Sequence, residues 1–425
     1  MSRKTAFVGF SYMAGLLLAS FFSAPLSIAI GAVLLGFGLC TVFIFRPKHS
    51  GSFYRSAVCA IACCVGLWIY SGYDMTVCRN ITANIGNFSG TVTIEQSTVY
   101  SEEKAFYIAH CTFPNGASGN VGFFDRRSDL VKGDKITLSG QLYAPENTGF
   151  FNSADYYRSM NVFLLMKSVR TSGYEIKEHN FYRTLDDFRH NVSDTIRKYV
   201  PSEEGELLIG MIFGSSKWNM SDRTENLLYR AGIGHVAAVS GLHMSVAAGI
   251  AAALAIALRL PKWGQFISVT AVSLLFAMTA GFTPSVVRSL IMVMFVWAAG
   301  IFNRRSDSLT SLAAAIIIMT ISSPFIVRST SFLLSVSGTI GTAVLSPMFI
   351  NAYEKKMERK TDLPYHVGAL TSALCSSLCA AAAVFPVSAL TFDQISIASP
   401  LTNLLLSPLC LSLIHISEPT RLQLI

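Results

Sequence analysis

The sequence predicts a polytopic α-helical membrane protein with a small, OB-like β-barrel domain inserted on the extracytoplasmic side. Three observations support this fold class. Hydrophobic residues make up 52% of the 425-residue chain and charged residues only 14%, whereas soluble domains carry about 25% charged residues. Apolar runs long enough to cross a bilayer recur along the chain. One long segment between them alternates apolar and polar residues, as half-buried strands do.

The apolar runs predict the membrane helices. The first run follows Arg3 and Lys4, as a signal peptide would, but a second run starts at once and no small-residue cleavage site separates them, so both are predicted to be retained. The ten runs are 6–23, 26–45, 57–73, 236–258, 265–281, 286–302, 309–326, 331–350, 366–386 and 396–411.

The distribution of Lys and Arg predicts the orientation of these helices. Basic residues are enriched in cytoplasmic loops, and an N-terminus in the cytoplasm places every basic cluster between the helices on that side. The thirteen residues concerned are Arg3, Lys4, Arg46, Lys48, Arg55, Arg259, Lys262, Arg304, Arg305, Lys355, Lys356, Arg359 and Lys360. The net charge of +8 is therefore explained by membrane topology before any binding of an anionic ligand is considered.

The same orientation places residues 74 to about 200 outside the cytoplasm. The stretches "GTVTIEQSTVYSEEKAFYIAHC" and "VGFFDRRSDLVKGDKITLSGQLY" alternate apolar and polar residues, with "KGDK" as a turn. Four or five short strands in under a hundred residues indicate a small barrel of the OB type. Its two cysteines, Cys78 and Cys111, either form a disulfide in an oxidising compartment or remain separate thiols.

Two shorter segments follow the predicted barrel. Residues 184–200 have an apolar stripe of helical period, which indicates a surface helix that lies on the membrane or packs against the barrel. The next apolar stretch, "EEGELLIGMIFGSSKW", is too short to span a bilayer. The predicted domains are therefore 1–73 (membrane helices), 74–183 (barrel), 184–230 (amphipathic and short buried helices), 231–410 (membrane domain) and 411–425 (a tail).

Polar residues within "AGIGHVAAVSGLHMSVAAGI", residues 231–250, are the first candidate site. Polar side chains at membrane depth usually face a water-filled cavity, which predicts a hydrated path lined by His235, Ser240, Gly241 and His243. The alternative is a packing histidine that caps a helix end. The histidines lack the i, i+4 spacing of a zinc site, and Ala238 breaks the G-x-S-x-G pattern of a nucleophilic serine. No metal site and no cofactor are predicted.

A second candidate lies in "GFTPSVVRSLIM", where Gly281 and Pro284 separate two runs and Arg288 stands one turn into the next helix. Either Arg288 extends along the helix to the membrane surface, or its planar guanidinium is a fixed cation for phosphate oxygens. Asn403 is a further polar residue among apolar ones.

Aromatic and arginine residues on the predicted barrel form a third candidate, for stacking of single-stranded nucleic acid. They are Phe123, Phe124, Arg126, Arg127, Tyr157 and Arg158. Residues 74–200 contain 14 Lys/Arg and 14 Asp/Glu, so there is no net basic surface of the usual kind. The alternative assigns the aromatics to the core and the arginines to ion pairs with Asp125 or Asp129.

Several of these stretches resemble the ComEC/Rec2-type competence proteins. The block "GIGHVAAVSGLHMSVAAG" is similar to the family's most characteristic motif, H-x-x-A-x-S-G-L-H. "GFTPSVVRSLIM", "RRSDSLTSLAAA" and "FPVSALTFDQISIASPLTNLLLSPL" are similar to its supporting segments. "NTGFFNSADYYRSMNVF" resembles a turn usually written N-P-G-x-F-D-x-x-x-Y, with Thr148 and Ser153 in place of Pro and Asp.

The resemblance implies a channel that conducts single-stranded DNA across the bacterial cytoplasmic membrane during natural transformation. It also implies partners besides membrane lipid: a DNA-binding receptor outside and a DNA translocase in the cytoplasm, since the sequence has no G-x-x-x-x-G-K-[ST] loop for ATP. Longer members carry a metallo-β-lactamase-like domain, but no H-x-H-x-D-H cluster occurs here, so no enzymatic activity is expected.

The resemblance ends at about residue 410. The stretch "LSLIHISEPTR" reads as a translated transposon-adapter sequence, so residues 411–425 are expected to be a non-native tail after truncation. Two other functions remain open. A small-molecule transporter would show an internal repeat with paired broken helices, and none is visible. A membrane-embedded hydrolase would use Ser240 and His243.

Overall fold

The computed structural model describes the chain as mostly helical, with one five-stranded barrel. The residues it describes are 4–44, 51–101, 104–146, 153–177, 180–214, 221–231, 241–357, 365–392 and 402. The chain divides into two compact units: Met1–Thr195 with Ala313–Ser329, and Ile196–Leu312 with Thr330–Ile425.

The first unit begins with three apolar helices. They are α1 (Lys4–Ala19), α2 (Ala24–Ile44) and α3 (Gly51–Tyr73), and α3 continues through a π-helical turn (Asp74–Cys78) into the short α4 (Arg79–Thr82). Both α1 and α2 pack against α3. The lack of charge in α1 and α2 beyond Lys4 is typical of helices that lie in lipid.

Small residues let α1 and α3 approach closely. A Cβ on Gly15 would overlap the carbonyl oxygen of Cys63, and a Cβ on Gly66 would overlap that of Tyr12. Each glycine thus lies directly against the backbone of the other helix. Such contacts drive helix association in membranes, where lipid tails remove the hydrophobic driving force.

The barrel follows α4. Its strands are β1 (Gly86–Ser101), β2 (Lys104–Thr112), β3 (Ser118–Asp125), β4 (Lys135–Tyr143) and β5 (Val162–Glu175), with the short helix α5 (Ser153–Ser159) before β5. The barrel is closed in the order β1-β2-β3-β5-β4. Strands β3 and β5 pair in parallel, whereas the other pairs are antiparallel. The prediction of four or five strands is confirmed, with the "KGDK" turn between β3 and β4.

A single 3₁₀ turn, Pro324–Arg328, joins the barrel to the apolar helices of the same unit. The buried ring of Phe325 makes edge contacts with Tyr70 at 4.9 Å and with Phe163 of β5 at 5.7 Å. Arg328 forms an ion pair of 2.8 Å with Asp155 of α5. Because these side chains come from α3, α5 and β5, they hold the barrel against α3.

The other helices carry the chain to its described end. They are α6 (Phe181–Tyr199), α7 (Glu203–Phe213), α8 (Asp222–Arg230), α9 (Gly241–Ala257), α10 (Lys262–Ala280), α11 (Pro284–Ile301), α12 (Ser308–Ser322), α13 (Thr330–Ile340), α14 (Ser346–Met357) and α15 (Tyr365–Phe392). The division between the units falls within α6 and α12. A π-helical turn, Gly341–Leu345, connects α13 to α14 without a break.

Nine of the ten predicted apolar runs are helical in the described chain; the tenth, 396–411, lies outside it except for residue 402. Among the described residues, five helices are long and apolar enough to cross a membrane: Arg55–Thr82, Lys262–Ala280, Pro284–Ile301, Thr330–Tyr353 and Thr371–Thr391. Shorter apolar helices occupy Lys4–Ala19, Ala24–Gly36, Gly241–Ala257 and Ser308–Ser322. The predicted combination of long apolar helices with a small β-barrel is therefore confirmed.

The two barrel-side cysteines do not form the disulfide that was one of the two expectations, because both are free, buried thiols in the structure. Cys78 lies in the turn after α3, whereas Cys111 lies in β2 and its thiol donates to the carbonyl oxygen of Gly119 at 3.7 Å. Burial raises the pKa of the Cys111 thiol to about 12. The thiol is therefore protonated, and poorly nucleophilic, at neutral pH.

We predict that Gly15→Val lowers the stability of the detergent-solubilised protein, because its side chain has to displace the backbone of α3. Overpacking of this kind costs about 1–3 kcal/mol. Gly36→Val is the matched control, since a Cβ there meets no atom within 4 Å. Thermal unfolding of the two variants provides the comparison, and equal midpoints would contradict the close packing of α1 on α3.

We also predict that Cys111 resists alkylation in the folded protein. At pH 8 its thiolate fraction is small because the pKa is raised, so iodoacetamide should modify it roughly 100-fold more slowly than in the unfolded chain. Peptide mass spectrometry measures both rates. In denaturant without reductant Cys111 should react fully, and a requirement for reductant would indicate a disulfide instead.

Candidate polar site in the membrane helices

Three of the predicted path residues, His235, Ser240 and Asn403, lie outside the described residues. The described part of the motif begins at Gly241, the first residue of α9, and includes His243, which is half-buried in the first turn of that helix. The remaining predicted residues, Gly281, Pro284 and Arg288, are all described.

The connection from α10 to α11 positions Arg288. Gly281 ends α10 in the left-handed region, at φ 83°, and its N–H donates to the carbonyl oxygen of Ala277. A residue with a side chain adopts this conformation only at some cost, so glycine suits the position. Pro284 is the first residue of α11, where its missing N–H leaves no helical bond unmade. Arg288 follows one turn later, as predicted.

The side chain of Arg288 turns inward and does not extend to the surface. Only 8% of the residue is exposed. Its Nη1 donates to the carbonyl oxygen of Ser335 and to the hydroxyl of Thr339, the latter at 2.6 Å, and its Nη2 donates to the hydroxyl of Ser289 at 3.2 Å. The guanidinium therefore ties α11 to α13, and this conformation differs from the one in which it would extend to the membrane surface.

Neutral oxygens are the described partners of this cation. No Asp or Glu side chain of the described chain forms an ion pair with Arg288, and its buried Nε donates to no described residue. A buried charge is normally paired, because its desolvation costs several kcal/mol. Arg328, by contrast, has its carboxylate partner in Asp155. Within the described ranges, Arg288 therefore has no carboxylate partner and its Nε has no acceptor.

Gly241, the first described residue of the S-G-L-H motif, lies beside the guanidinium of Arg288. A Cβ built on Gly241 would lie 2.8 Å from the hydroxyl oxygen of Ser289 and 3.1 Å from Nη2 of Arg288. Glycine at 241 therefore gives the guanidinium room beside α9. The Arg288 cluster consists of Gly241, Ser285, Arg288, Ser289, Ser335 and Thr339.

Sequence reasoning missed four members of the Arg288 cluster: Ser285, Ser289, Ser335 and Thr339. Two hydrogen bonds organise them: the hydroxyls of Ser285 and Ser335 are 3.1 Å apart, and the hydroxyl of Thr339 donates to the carbonyl oxygen of Ser335. A signal was present in the sequence: Ser285 and Ser289 are spaced i, i+4, as are Ser335 and Thr339, so each pair lies on one face of an otherwise apolar helix. The pairing of those two faces depends on tertiary structure.

On the barrel, the structure separates the predicted aromatic residues. Phe123 is only 1% exposed and packs against Tyr107 inside the barrel, so its assignment as a base-stacking residue is corrected. Phe124, which points to the opposite face of β3, is 45% exposed. Its ring lies 5.0 Å from that of Phe106, which in turn lies 5.6 Å from Tyr157.

The predicted arginines of the barrel also separate. Arg127 donates from Nη2 to Asp129 at 2.9 Å and stacks over the ring of Tyr174 at 4.8 Å. Hydrogen bonding to Arg127 lowers the pKa of Asp129 below its ordinary value, so the pair is ionised at neutral pH. Arg126 is exposed and Arg158 is half-buried. Lys104, which was not predicted, lies 5.3 Å above the ring of Phe124.

Metal-binding side chains are not grouped into a ligand set among the described residues. These residues contain no group of three or more His, Cys, Asp or Glu side chains that could hold a metal ion. The Arg288 cluster itself consists of a cation, hydroxyls and backbone oxygens. Its chemistry is suited to contact with an anion.

Comparison with known proteins links the chain to competence. A family model described as "Competence protein" matches residues 211–417. "ComE operon protein 3" of Bacillus subtilis (strain 168) is 23% identical over 282 residues, which are 66% of this chain and 34% of that protein. The matched segment therefore spans about a third of the length of this relative. No solved structure matches the chain.

We predict that Arg288→Met leaves the protein at least as stable as the wild type. Replacing a poorly neutralised buried charge by an apolar side chain of similar length is often neutral or stabilising. Arg328→Met is the matched control and should lose ~3 kcal/mol, because it removes the ion-pair partner that Arg328 provides for the largely buried carboxylate of Asp155. Thermal unfolding in detergent measures both variants. A large loss for Arg288→Met would mean that the guanidinium is a structural element.

Proposed function

We propose that this chain belongs to the ComEC/Rec2-type competence proteins, since residues 211–417 match the competence family model. In that role it passes incoming single-stranded DNA across the cytoplasmic membrane during natural transformation. The observation that carries the proposal is the Arg288 cluster. There, a buried cation without a described carboxylate partner lies against Gly241 of the motif within apolar helices.

The chemistry of DNA passage calls for such a site. Bare phosphodiester anions in hydrocarbon are prohibitively unfavourable, so a path needs water, hydroxyls or fixed cations. A guanidinium binds phosphate oxygens through parallel N–H donors. We propose that Arg288 contacts the DNA backbone, with the hydroxyls of Ser289 and Thr339 positioning the guanidinium. We place His235, Ser240, His243 and Asn403 along the same path.

We propose that the barrel is an extracytoplasmic, OB-type domain that receives the strand. The closed five-stranded topology supports this assignment, and the distribution of basic residues supports the orientation with the N-terminus in the cytoplasm. Phe124, Arg126 and Tyr157 then offer exposed or half-buried groups for base stacking and phosphate contact. Because residues 74–200 carry equal numbers of basic and acidic residues, the barrel should bind DNA weakly by itself. A separate receptor would then bind the DNA first and pass it to the barrel.

We propose that a partner supplies the energy for the movement. The sequence contains no phosphate-binding loop of the G-x-x-x-x-G-K-[ST] type. We therefore propose a cytoplasmic DNA translocase as the second partner. The membrane helices would form the path for the DNA, and the translocase would pull the strand toward the cytoplasm.

We predict that Arg288→Met lowers the frequency of transformation at least ~10-fold, since one well-placed charge-assisted contact is worth about 1.5–3 kcal/mol. Arg288→Lys should retain part of the activity as a point charge. The assay measures entry of labelled DNA into a nuclease-resistant pool in cells whose own gene is deleted, with protein level and surface-bound DNA determined in parallel.

The control variant is Arg304→Met, which removes an exposed arginine just after α11 and should transform normally. Wild-type uptake by Arg288→Met would remove the cluster from the DNA path. Normal uptake in cells without the gene would overturn the proposed function as a whole.

A further inference from the structure

An aromatic stripe runs along α6, on a face that the described residues leave open. Phe181, Phe188 and Tyr199 are 57%, 53% and 76% exposed. At 100° per residue, the three side chains lie within about 20° of one another on the helix surface. The aromatic stripe, defined by these three residues, is about 27 Å long at 1.5 Å per residue.

The contacts of the other residues show that this exposure is not general to α6. Leu185 and Ser193 are buried, and Asp186 and Arg189 form an ion pair of 3.6 Å with side chains under 20% exposed. These four residues lie to one side of the aromatic stripe. The helix therefore packs along one face while a second face keeps three large aromatic rings in the open.

The beginning of α6 is fixed to the barrel. Arg183 forms an ion pair of 2.8 Å with the fully buried carboxylate of Asp134, which also accepts the N–H groups of Val131 and Lys177. Asn180 donates to the carbonyl oxygen of Lys132 at 2.6 Å. These contacts set the rotation of the helix about its axis at this end, and so decide which way the aromatic stripe faces.

We infer that the aromatic stripe lies in the interface of the lipid bilayer and holds α6, with the attached barrel, at the membrane surface. Amphipathic helices with Phe or Trp on one face and charges on the other bind in the plane of the interface. Tyrosine is enriched at the level of the lipid headgroups. The rest of α6 has the required polarity, with Arg183 and His190 on the side of the helix opposite the stripe.

A protein partner suits this surface less well. The three rings together expose roughly 400 Å², given 150–250 Å² for each aromatic side chain. A stable interface takes about 800 Å² from each partner. The aromatic stripe is also one side chain wide, whereas a bilayer accepts a narrow row without any matching pocket. Helices long and apolar enough to cross a membrane precede and follow α6 in the chain, so both ends of this segment are tethered to such helices.

The test places a tryptophan on each face of α6 in the full chain, reconstituted in phosphatidylcholine vesicles. Phe188→Trp reports on the aromatic stripe. His190→Trp is the matched control, about 180° from the stripe on the helix at a side chain that is 61% exposed. Emission of the wild type, which has four tryptophans, is subtracted. Lipids brominated in the acyl chains quench buried probes, whereas iodide quenches probes in water.

We expect brominated lipid to quench the added indole of Phe188→Trp at least ~2-fold more than that of His190→Trp, and iodide to show the reverse order. Equal access of iodide to both positions, without bromolipid quenching, would overturn the inference by placing the stripe in water. Blue-shifted emission from Phe188→Trp that neither agent quenches would overturn it in favour of a protein cover, such as a second copy of the chain.

Discussion

Polar side chains within the apolar helices gain most from hydrogen-bond partners inside the protein, and several of these hydrogen bonds join one helix to another. No water is present in the bilayer core to satisfy them. In the first unit the hydroxyl of Thr320 contacts that of the buried Tyr12, which links α12 to α1. In the second unit Ser346 and Ser376, 2.7 Å apart, link α14 to α15. Arg288 is the strongest case, because a cation is the group most costly to leave unpaired.

Two arginines obey this constraint in different ways. Arg328 meets the carboxylate of Asp155 and, together with Phe325, joins the barrel to α3. Its charge is matched and its purpose is structural. Arg288 is held by neutral hydroxyl and carbonyl oxygens, with one donor still free among the described residues. We propose that this buried cation serves to bind an anion, and a DNA strand carries one phosphate anion at each nucleotide.

The barrel and α6 likewise contain arginines that are paired with carboxylates. Arg127 is neutralised by Asp129, and Arg183 by Asp134, so these basic residues serve the fold. Aromatic side chains are divided similarly, with Phe123 in the barrel core and Phe124 outside it. The aromatic stripe on α6 has no cover in the described chain. We propose that this protein contacts lipid through the aromatic stripe and nucleic acid through Arg288 and the exposed ring of Phe124.

Local pattern in the sequence was enough for the elements of this fold. Runs of apolar residues predicted the helices because a helix in lipid needs an apolar surface along its whole length, and alternation predicted the strands because side chains of a strand alternate between faces. The turn with Gly281 and Pro284, and the position of Arg288 one turn later, also followed from local chemistry.

Tertiary structure decided the partners. It brought Gly241 beside Arg288, set Ser335 and Thr339 opposite it, placed Phe123 inside the barrel and kept Cys78 and Cys111 as separate thiols. None of these contacts follows from spacing along the chain, because they depend on which faces of distant helices and strands meet. The physical reason is that polarity and period are properties of a segment, whereas a binding site is a property of the packing between segments.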